Sequence, residues 1–215
     1  DGELYKKIKE GHIPALSYPE MLGLITKDKY TIAVSGTHGK TTTTAMIGKV
    51  LIDAQKDPSV IVGTLLPESK SNLVAGKSKY FVVEACEYKR AFLNIKPKIL
   101  VVTNIEADHL DYYKDVDDIK NAFRQLIVQT ENAVIYNGKD TNISVLVDRY
   151  KGKTVDYTKY LNKVPKLSVP GLHNRMNAAA ALAVADILDI EEDNAQKSIA
   201  EFSGTWRRLE KKGIT

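Results

Sequence analysis

A short apolar run that leads into a glycine-containing loop, and then into a helix-compatible stretch, constrains this chain most. Residues 31–44 have the sequence TIAVSGTHGKTTTT. A β-branched apolar run predicts a buried strand, and Gly36 and Gly39 permit a sharp turn that aims several backbone N–H groups at one anion. Lys40 adds a mobile positive charge, and Thr41 adds a hydroxyl suited to Mg²⁺. The stretch therefore predicts a strand, a phosphate-binding loop and a helix, in that order.

The loop departs from the most common phosphate-loop pattern at one position. That pattern, GxxxxGK[ST], requires a glycine where this chain has Val34. The alternative is an ordinary strand-to-helix turn with a lysine in the first helical turn. A lysine there is unfavourable unless an anion is close, because the N-terminal end of a helix is already positive. We therefore interpret residues 36–41 as a phosphate-binding loop.

Composition and charge narrow the class of protein. The 215 residues suffice for one sizeable α/β domain, and no apolar run approaches the length that crosses a bilayer. The formal net charge of +4 is spread over lysines along the whole chain. Such an excess suits anionic ligands such as nucleotides and does not by itself indicate nucleic-acid binding. The single cysteine, Cys86, excludes an internal disulfide and fits a reducing compartment.

Short apolar runs alternate with helical patterns along the chain. Strands are predicted at residues 31–35, 59–62, 80–83, 99–103 and 133–136, with edge strands at 153–157 and 166–169. Helices are predicted at 41–54, 116–129, 142–150, 174–188 and 194–202, after a short amphipathic helix around 20–25. This alternation predicts an α/β fold with a doubly wound, mostly parallel sheet.

Two of the predicted strands end on groups that can carry chemistry. Ligands of parallel α/β sheets collect at the carboxyl ends of the strands. The run at 80–83 closes on Glu84, and the run at 99–103 leads to His109. Both runs are expected to neighbour the phosphate loop, where an acid serves as a metal ligand or accepts a hydrogen bond from metal-bound water. We therefore favour a functional role for Glu84 and His109.

Three further acids near these two residues are harder to interpret. Glu87, Asp108 and Asp111 are equally compatible with metal binding and with solvated loop carboxylates. An imidazole suits Zn²⁺ or Mn²⁺ better than Mg²⁺, so the chemistry of His109 alone leaves the metal open.

A third cluster, VPGLHNRMNAAAA, surrounds the start of the alanine-rich helix. Asn174 and Asn177 are three residues apart, so their amides share one helix face. An amide offers both a donor and an acceptor, which is what reading a purine edge requires. The alternative for Asn174 is a helix cap, and without other context we favour the cap. A fourth cluster, FSGTWRRLE, pairs a glycine turn with Arg207 and Arg208, whose guanidinium groups suit phosphate.

In this order the four clusters resemble the Mur ligases, which are ATP-dependent amide-forming enzymes of peptidoglycan precursor synthesis. The matching stretches are GTHGKTTTT, EACEY, TNIEADH, GLHNRMN and RRLE. The family loop is itself Gly-Thr-x-Gly-Lys-Thr, which accounts for Val34. Arg124 stands where several sibling ligases carry a carbamylated lysine. This departure counts against those siblings. His38 and the residues around Cys86 and His109 most resemble the branch that adds L-alanine to UDP-N-acetylmuramate.

The resemblance implies a role for each matched residue. The phosphates of ATP are bound by the loop and the first helical turn, namely Gly36, Thr37, His38, Gly39, Lys40, Thr41 and Thr42. One Mg²⁺ is held by Thr41 and Glu84 and a second by His109. The adenine side is formed by His173 and Asn174, Asn177 also binds the nucleotide, and Arg208 lies near the transferred phosphate. The catalytic residues implied are Lys40, Glu84, His109 and Arg208.

The resemblance also implies a reaction and its partners. The muramoyl carboxylate attacks the γ-phosphate of ATP to give an acyl phosphate, and the amino group of alanine then displaces phosphate. The partners implied are the small molecules ATP, UDP-N-acetylmuramate and L-alanine, with no nucleic acid and no membrane, in the bacterial cytoplasm.

Family enzymes have three domains, which sets an expectation for this chain. We expect residues 1–28 to be a remnant of the N-terminal UDP-substrate domain and its linker, and residues 29–215 to be the central ATP-binding domain. The C-terminal domain is expected to be absent. Such a fragment should keep its fold but fail to ligate alone, because the catalytic geometry is assembled from three domains.

Two alternatives remain open at this point. One is a related ligase, either the ligase that acts on murein tripeptide or one of the folylpolyglutamate or cyanophycin type. The amino acid that supports ADP release distinguishes such a ligase from the alanine-adding branch. The other is a nucleotide-binding module without catalysis, or a phosphate-loop switch, which binds ATP without ligating.

Overall fold

The expected α/β architecture is confirmed in a computed structural model that describes residues 2–11, 14–66 and 70–205. The strands in these ranges are β1 Tyr30–Ser35, β2 Ser59–Leu66, β3 Ser71–Val74, β4 Tyr80–Glu84, β5 Ile99–Val102, β6 Ala133–Tyr136 and β7 Lys153–Asp156. The α-helices are α1 Glu3–Glu10, α2 Tyr18–Thr26, α3 Lys40–Asp53, α4 Val116–Gln129, α5 Thr141–Val147, α6 Leu172–Ile187 and α7 Glu192–Ala200. Two 3₁₀ segments span Tyr88–Asn94 and Tyr157–Lys163.

Strand β1 lies at the centre of the sheet, whose order across the described residues is β3-β2-β4-β1-β5-β6-β7. The neighbouring strands are parallel except for β3, which runs antiparallel to β2. Val34 of β1 is in register with Glu84 of β4, and Ser35 is in register with Val102 of β5. The carboxyl ends of β4, β1 and β5 are therefore level. They form the crevice in which open α/β sheets bind ligands, because the chain moves to opposite sides of β1 in its two halves.

Successive residues of the strands feed two apolar layers, one on each face of the sheet. Ile32 and Val34 pack in the layer formed with α3, α6 and α7. Ala33 packs in the opposite layer, formed with α2, α4 and α5. In α6 the residues at 178–185 are all buried, and six of these eight positions are alanine. Such small side chains let α6 approach α3 closely, which brings the N-terminal end of α6 toward the loop after β1.

The structure corrects several details of the prediction. The edge strand expected at 153–157 is confirmed as β7, but the strand expected at 166–169 is wrong. That segment lies between Pro165 and Pro170, which lack the N–H groups that strand pairing needs, and Val169 is buried in the core instead. Strand β3 was not predicted. Helix α5 ends at Val147, three residues before the predicted end.

The leader helix α2 confirms the amphipathic helix expected around residues 20–25. The backbone N–H and the hydroxyl of Ser17 both donate to the Glu20 carboxylate, which fixes the start of the helix. Leu22 is buried in the same layer as α4, so α2 is packed on the sheet domain. In the described ranges, no helix combines the length and the apolar character that crossing a membrane needs.

The two faces of α4 predict different costs for truncating an apolar side chain. Phe123 is fully buried, and its ring meets that of Phe92 edge to face with the centroids 5.1 Å apart. We expect Phe123→Ala to lower the free energy of unfolding by about 3–5 kcal/mol, because it leaves a cavity. Val128 is 72% exposed on the same helix, and Val128→Ala should change the free energy of unfolding by no more than about 0.5 kcal/mol. Urea unfolding of both variants measures the difference, and equal effects would contradict the assigned layer.

Candidate active site

The loop after β1 adopts a backbone conformation that requires its two glycines. Gly36 has φ of 133° and Gly39 has φ of 83°. A Cβ atom on Gly36 would lie 2.1 Å from the hydroxyl oxygen of Thr103, and one on Gly39 would lie 2.7 Å from the amide oxygen of Asn177. Both the left-handed conformation and the close approach of neighbouring side chains therefore exclude larger residues here.

Two residues that follow β5 hold this loop in place. The hydroxyl of Thr103 donates to the carbonyl oxygen of His38 (2.6 Å). The backbone N–H of Thr37 donates to the carbonyl oxygen of Asn104 (3.0 Å), and the backbone N–H of His38 donates to the side-chain oxygen of Asn104 (2.8 Å). Because these two amides are engaged, the amides directed at an anion are those of the first turn of α3, which no intrahelical acceptor satisfies.

Lys40, the first residue of α3, folds back over the loop. Its ammonium donates to the carbonyl oxygens of Gly36 (2.6 Å) and Thr37 (3.1 Å) and to Oε1 of Glu87 (2.9 Å). The Glu87 side chain is only 3% exposed and that of Lys40 is 14% exposed. The resulting ion pair is thus largely buried against the loop.

The predicted pair Thr41 and Glu84 lies on the β4 side of the loop. The hydroxyl of Thr41 donates to Oε1 of Glu84 (3.0 Å), and the backbone N–H of Gly63 donates to Oε2 (2.8 Å). The two groups are within reach of one small cation. Their role as metal ligands stays a prediction.

His109 lies beside a different acid, Glu87. Its Nε2 atom is 3.8 Å from Oε1 of Glu87 and 3.9 Å from Oδ2 of Asp108. One potential ligand atom from each of these three residues lies within 4.8 Å of the others. Oε2 of Glu87 is buried and has no hydrogen-bond partner among the described residues. A buried carboxylate oxygen of this kind is costly unless a cation or donor satisfies it.

The backbone around Glu87 is held in a strained conformation. Lys89 and Arg90 are both left-handed, with φ of 50° and 57°, and non-glycine residues adopt this region at a cost. Arg90 is fixed by an ion pair with Asp118 (2.6 Å). The hydroxyl of Tyr113 donates to the carbonyl oxygen of Glu87, and burial raises the pKa of Tyr113 to about 12, so this donor stays protonated at neutral pH. These contacts fix the position of the Glu87 carboxylate.

The potential metal-ligand atoms at this edge of the sheet fit hard divalent cations. Hydroxyl and carboxylate oxygens, as at Thr41 and Glu84, are ligands that Mg²⁺ prefers. An imidazole with two carboxylates, as at His109, also suits Mn²⁺. The unsatisfied oxygen of Glu87 is the observation that favours a cation on this side.

A cavity of about 430 Å³ opens next to the loop. It runs from the loop and the first turn of α3 to the start of α6, and its lining includes His38, Gly39, Thr42, His173, Asn174 and Asn177. These are six of the residues assigned to nucleotide binding by the resemblance. The structure thus joins the loop and the α6 cluster, which are more than 130 positions apart in the sequence, into one continuous site.

The amides of α6 behave differently from a simple cap. Gly171 is the N-cap of α6, and Asn174 lies three residues inside the helix, 3% exposed. Its side-chain N–H group donates to the carbonyl oxygen of Pro170 (2.7 Å). The cap interpretation of Asn174 is therefore wrong. Asn177 is 7% exposed and lies against Gly39, whereas His173 is exposed at the rim.

Two other residues of the sequence interpretation lie away from the site or beyond the described ranges. Arg208 falls outside the described residues. Arg124 is exposed on α4, where it contacts Asn121.

Sequence reasoning left several site residues unassigned. Thr103 was predicted to end a strand and Asn104 was given no role, although polar residues directly after a strand beside the loop were a usable signal. Glu87 was left undecided, and only its burial distinguishes it from a solvated acid. Tyr157, which lines the cavity and donates to the carbonyl oxygen of Thr103 (3.1 Å), gave no signal in the sequence.

Comparison with known proteins gives consistent matches. The family model of the Mur ligase middle domain matches residues 34–164. The chain is 38% identical to the UDP-N-acetylmuramate–L-alanine ligase of Caldanaerobacter subterraneus subsp. tengcongensis, over 100% of this chain and 53% of that protein. It spans about half the length of the curated relatives it matches.

Solved structures share the fold. A UDP-N-acetylmuramate-alanine ligase from Thermotoga maritima superposes with a TM-score of 0.80 at 26% identity, over 97% of this chain and 54% of that one. A UDP-N-acetylmuramate:L-alanyl-gamma-D-glutamyl-meso-diaminopimelate ligase from Neisseria meningitides gives a TM-score of 0.84 at 23% identity, over 95% and 76% of the two chains. At that identity the second match bears on the fold alone.

The buried ion pair predicts a non-additive effect on stability. We expect Lys40→Met to lower the free energy of unfolding by about 3–5 kcal/mol, because it leaves the Glu87 carboxylate buried without its cation. Adding Glu87→Gln to Lys40→Met should recover most of that loss. The matched control is Lys98→Met, whose partner Glu131 is 48% exposed, and its effect should stay below about 1 kcal/mol. Additive losses in a double-mutant cycle by urea unfolding would contradict the pairing.

Proposed function

The chain belongs to the Mur ligase family, and on this basis we propose that it is the nucleotide-binding part of an ATP-dependent, ADP-forming ligase that joins L-alanine to UDP-N-acetylmuramate. The named relatives at 38–40% identity support the alanine-adding branch over its siblings. Because the chain spans about half of their length, the activity of the whole protein, its two other substrates and a cytoplasmic location are part of the proposal.

One observation carries the proposal, namely the continuity of the loop with the cavity. A nucleotide needs an anion site and a base site about one ribose apart. The first turn of α3 offers N–H groups and the Lys40 ammonium at one end, and His173 and Asn174 at the start of α6 line the cavity away from the loop. The cavity volume of about 430 Å³ lies in the range of small-molecule sites.

The residues of this chain act mainly by binding charge. In the proposed reaction the carboxylate of one substrate attacks the γ-phosphate of ATP, so two anions must approach each other. Lys40 and the amides of the first α3 turn neutralise the phosphates and orient the γ-phosphorus for attack. The acyl phosphate formed then loses phosphate to the incoming amine, and the same groups hold the departing phosphate.

Bound Mg²⁺ supplies further charge neutralisation and polarises the phosphoryl oxygens. Thr41 and Glu84 would hold one ion, and His109 would hold another. Thr103 and Asn104 keep the loop in its binding conformation, and Tyr113 and Arg90 keep Glu87 in place. Arg208, assigned to the transferred phosphate, remains a prediction.

The domain division also remains part of the proposal. We assign residues 29–215 to the ATP-binding domain and residues 1–28 to a segment that precedes it. The packing of α2 against the layer that holds α4 indicates that the second half of this segment is attached to the domain surface. Ligation by these 215 residues alone is not expected, since groups that bind the acyl and amine substrates are not accounted for among the described residues.

Nucleotide binding is the first test. We expect the chain to bind ATP in the presence of Mg²⁺ and Lys40→Ala to weaken that binding by at least roughly tenfold, because a buried phosphate contact is lost. Isothermal titration calorimetry measures this, with Lys98→Ala at the other end of β5 as the control. Unchanged affinity in Lys40→Ala, or equal losses in both variants, would overturn the proposed site.

Amino-acid specificity is the second test. ADP release by the complete protein in which these residues occur, supplied with UDP-N-acetylmuramate and single amino acids, should depend on L-alanine. Release that requires a tripeptide, a folate or no acceptor would favour one of the related ligases. ATP binding without any acceptor-dependent release would favour a nucleotide-binding module.

A further inference from the structure

Glu87 stands apart from the other acids in the described part of the chain. It is the one Asp or Glu there whose residue is buried, at 3% exposure. One of its oxygens pairs with Lys40, and the other has no hydrogen-bond partner among the described residues. A buried carboxylate needs a cation in every state of the protein, because an uncompensated charge in the interior is strongly unfavourable.

The Lys40 ammonium has no donor to spare in this arrangement. Its three N–H groups match the three acceptors it contacts, the carbonyl oxygens of Gly36 and Thr37 and the Glu87 carboxylate. To reach a phosphate, Lys40 must release at least one of them. The Glu87 contact is the one that an arriving phosphate opposes directly, since two anions would then share one ammonium.

Glu87 already has the groups of a second cation site beside it. Nε2 of His109 is 3.8 Å from the same oxygen that Lys40 contacts, and Oδ2 of Asp108 is 3.9 Å from that imidazole. Potential ligand atoms of the three residues fit within 4.8 Å of one another. A carboxylate pair with one imidazole is a ligand set for Mg²⁺ or Mn²⁺.

We propose that Glu87 exchanges its cation: it pairs with Lys40 in the nucleotide-free protein and, once a nucleotide phosphate takes Lys40, with a divalent cation that it shares with Asp108 and His109. This inference rests on the proposed nucleotide binding and adds Glu87 and Asp108 to its ligands. The exchange makes binding of nucleotide and metal interdependent. Without metal, a bound nucleotide leaves the buried Glu87 carboxylate without a cation. Without nucleotide, a metal ion must compete with Lys40 for that carboxylate. Nucleotide and metal therefore raise the affinity of the protein for each other by the same factor.

Two substitutions distinguish the pairing of Glu87 with Lys40 from the binding of the divalent cation. Glu87→Gln removes the carboxylate that restrains Lys40, so ADP affinity measured in EDTA should rise by roughly tenfold. The factor by which Mg²⁺ or Mn²⁺ raises ADP affinity should fall by a similar amount. Asp108→Asn does not touch Lys40, so it should leave the affinity in EDTA near that of the wild type and lower only the metal enhancement.

Calorimetry with ADP, in EDTA and in saturating Mg²⁺ or Mn²⁺, measures both quantities. The control is Glu131→Gln, which removes an acid paired with Lys98 and gives the same change in net charge. It should alter neither quantity. Thermal unfolding of each variant without ligand shows that it is folded at the temperature of the titration, and Asp108→Asn serves alone if Glu87→Gln is not.

The outcomes distinguish this inference from the proposed function. If the wild type binds ADP in a Lys40-dependent manner but Glu87→Gln and Asp108→Asn both keep the full metal enhancement, the cation exchange is wrong and nucleotide binding stands. A metal-free affinity that does not rise in a folded Glu87→Gln variant also contradicts the exchange. If the wild type does not bind ADP with or without metal, the proposed function itself fails.

Discussion

Two residues that follow β5 hold the loop that follows β1, and the arrangement of the whole site depends on these contacts. Thr103 and Asn104 receive and donate the hydrogen bonds that fix Thr37 and His38. This is possible because β1 and β5 are adjacent and end level with each other. The loop is therefore formed in advance of any ligand, so little ordering entropy opposes anion binding. The same contacts leave the first turn of α3 as the source of anion-directed N–H groups.

Charge is the second organising factor. The crevice gathers Lys40, Glu84, Glu87, Asp108 and His109 within a small region at the ends of three strands. In the ligand-free protein Lys40 pairs with Glu87 and the Glu84 carboxylate accepts from Thr41 and the backbone of Gly63, while one oxygen of Glu87 has no hydrogen-bond partner among the described residues. A phosphate ligand disturbs that balance, and cations restore it. The strained residues around Glu87 and at His109, which has φ of 52°, are the cost of holding these groups in position.

Much of the fold could be predicted from the sequence, because its signals are local. Six of the seven described strands and the helices α2 to α7 follow from apolar runs and helical periodicity. Strand β3, an exposed edge strand, carries no such run. The segment at 166–169 shows the opposite error, since its alternation reflects the burial of Val169 between two prolines rather than strand pairing.

The site was predicted less completely, because its geometry depends on long-range contacts. The loop glycines and Lys40 could be identified from spacing alone. Glu87 could not be assigned, since whether an acid three residues beyond a strand is solvated or buried depends on the left-handed turn at Lys89 and Arg90, which their side chains do not favour. Asn174 was read as a cap because the local rule for helix starts gave the wrong position for the N-cap.

The central claim is that the loop, the cavity and the acidic groups form one nucleotide and metal site. A crystal structure of the chain with a non-hydrolysable ATP analogue and Mn²⁺, with the ions located by anomalous scattering, tests it most directly. We expect the phosphates along residues 36–42, the adenine beside His173 and Asn174, and Mn²⁺ within bonding distance of Glu84 or Glu87. A nucleotide bound elsewhere, or phosphates at the loop with the Lys40–Glu87 pair still intact and no ion beside the acids, would contradict the account.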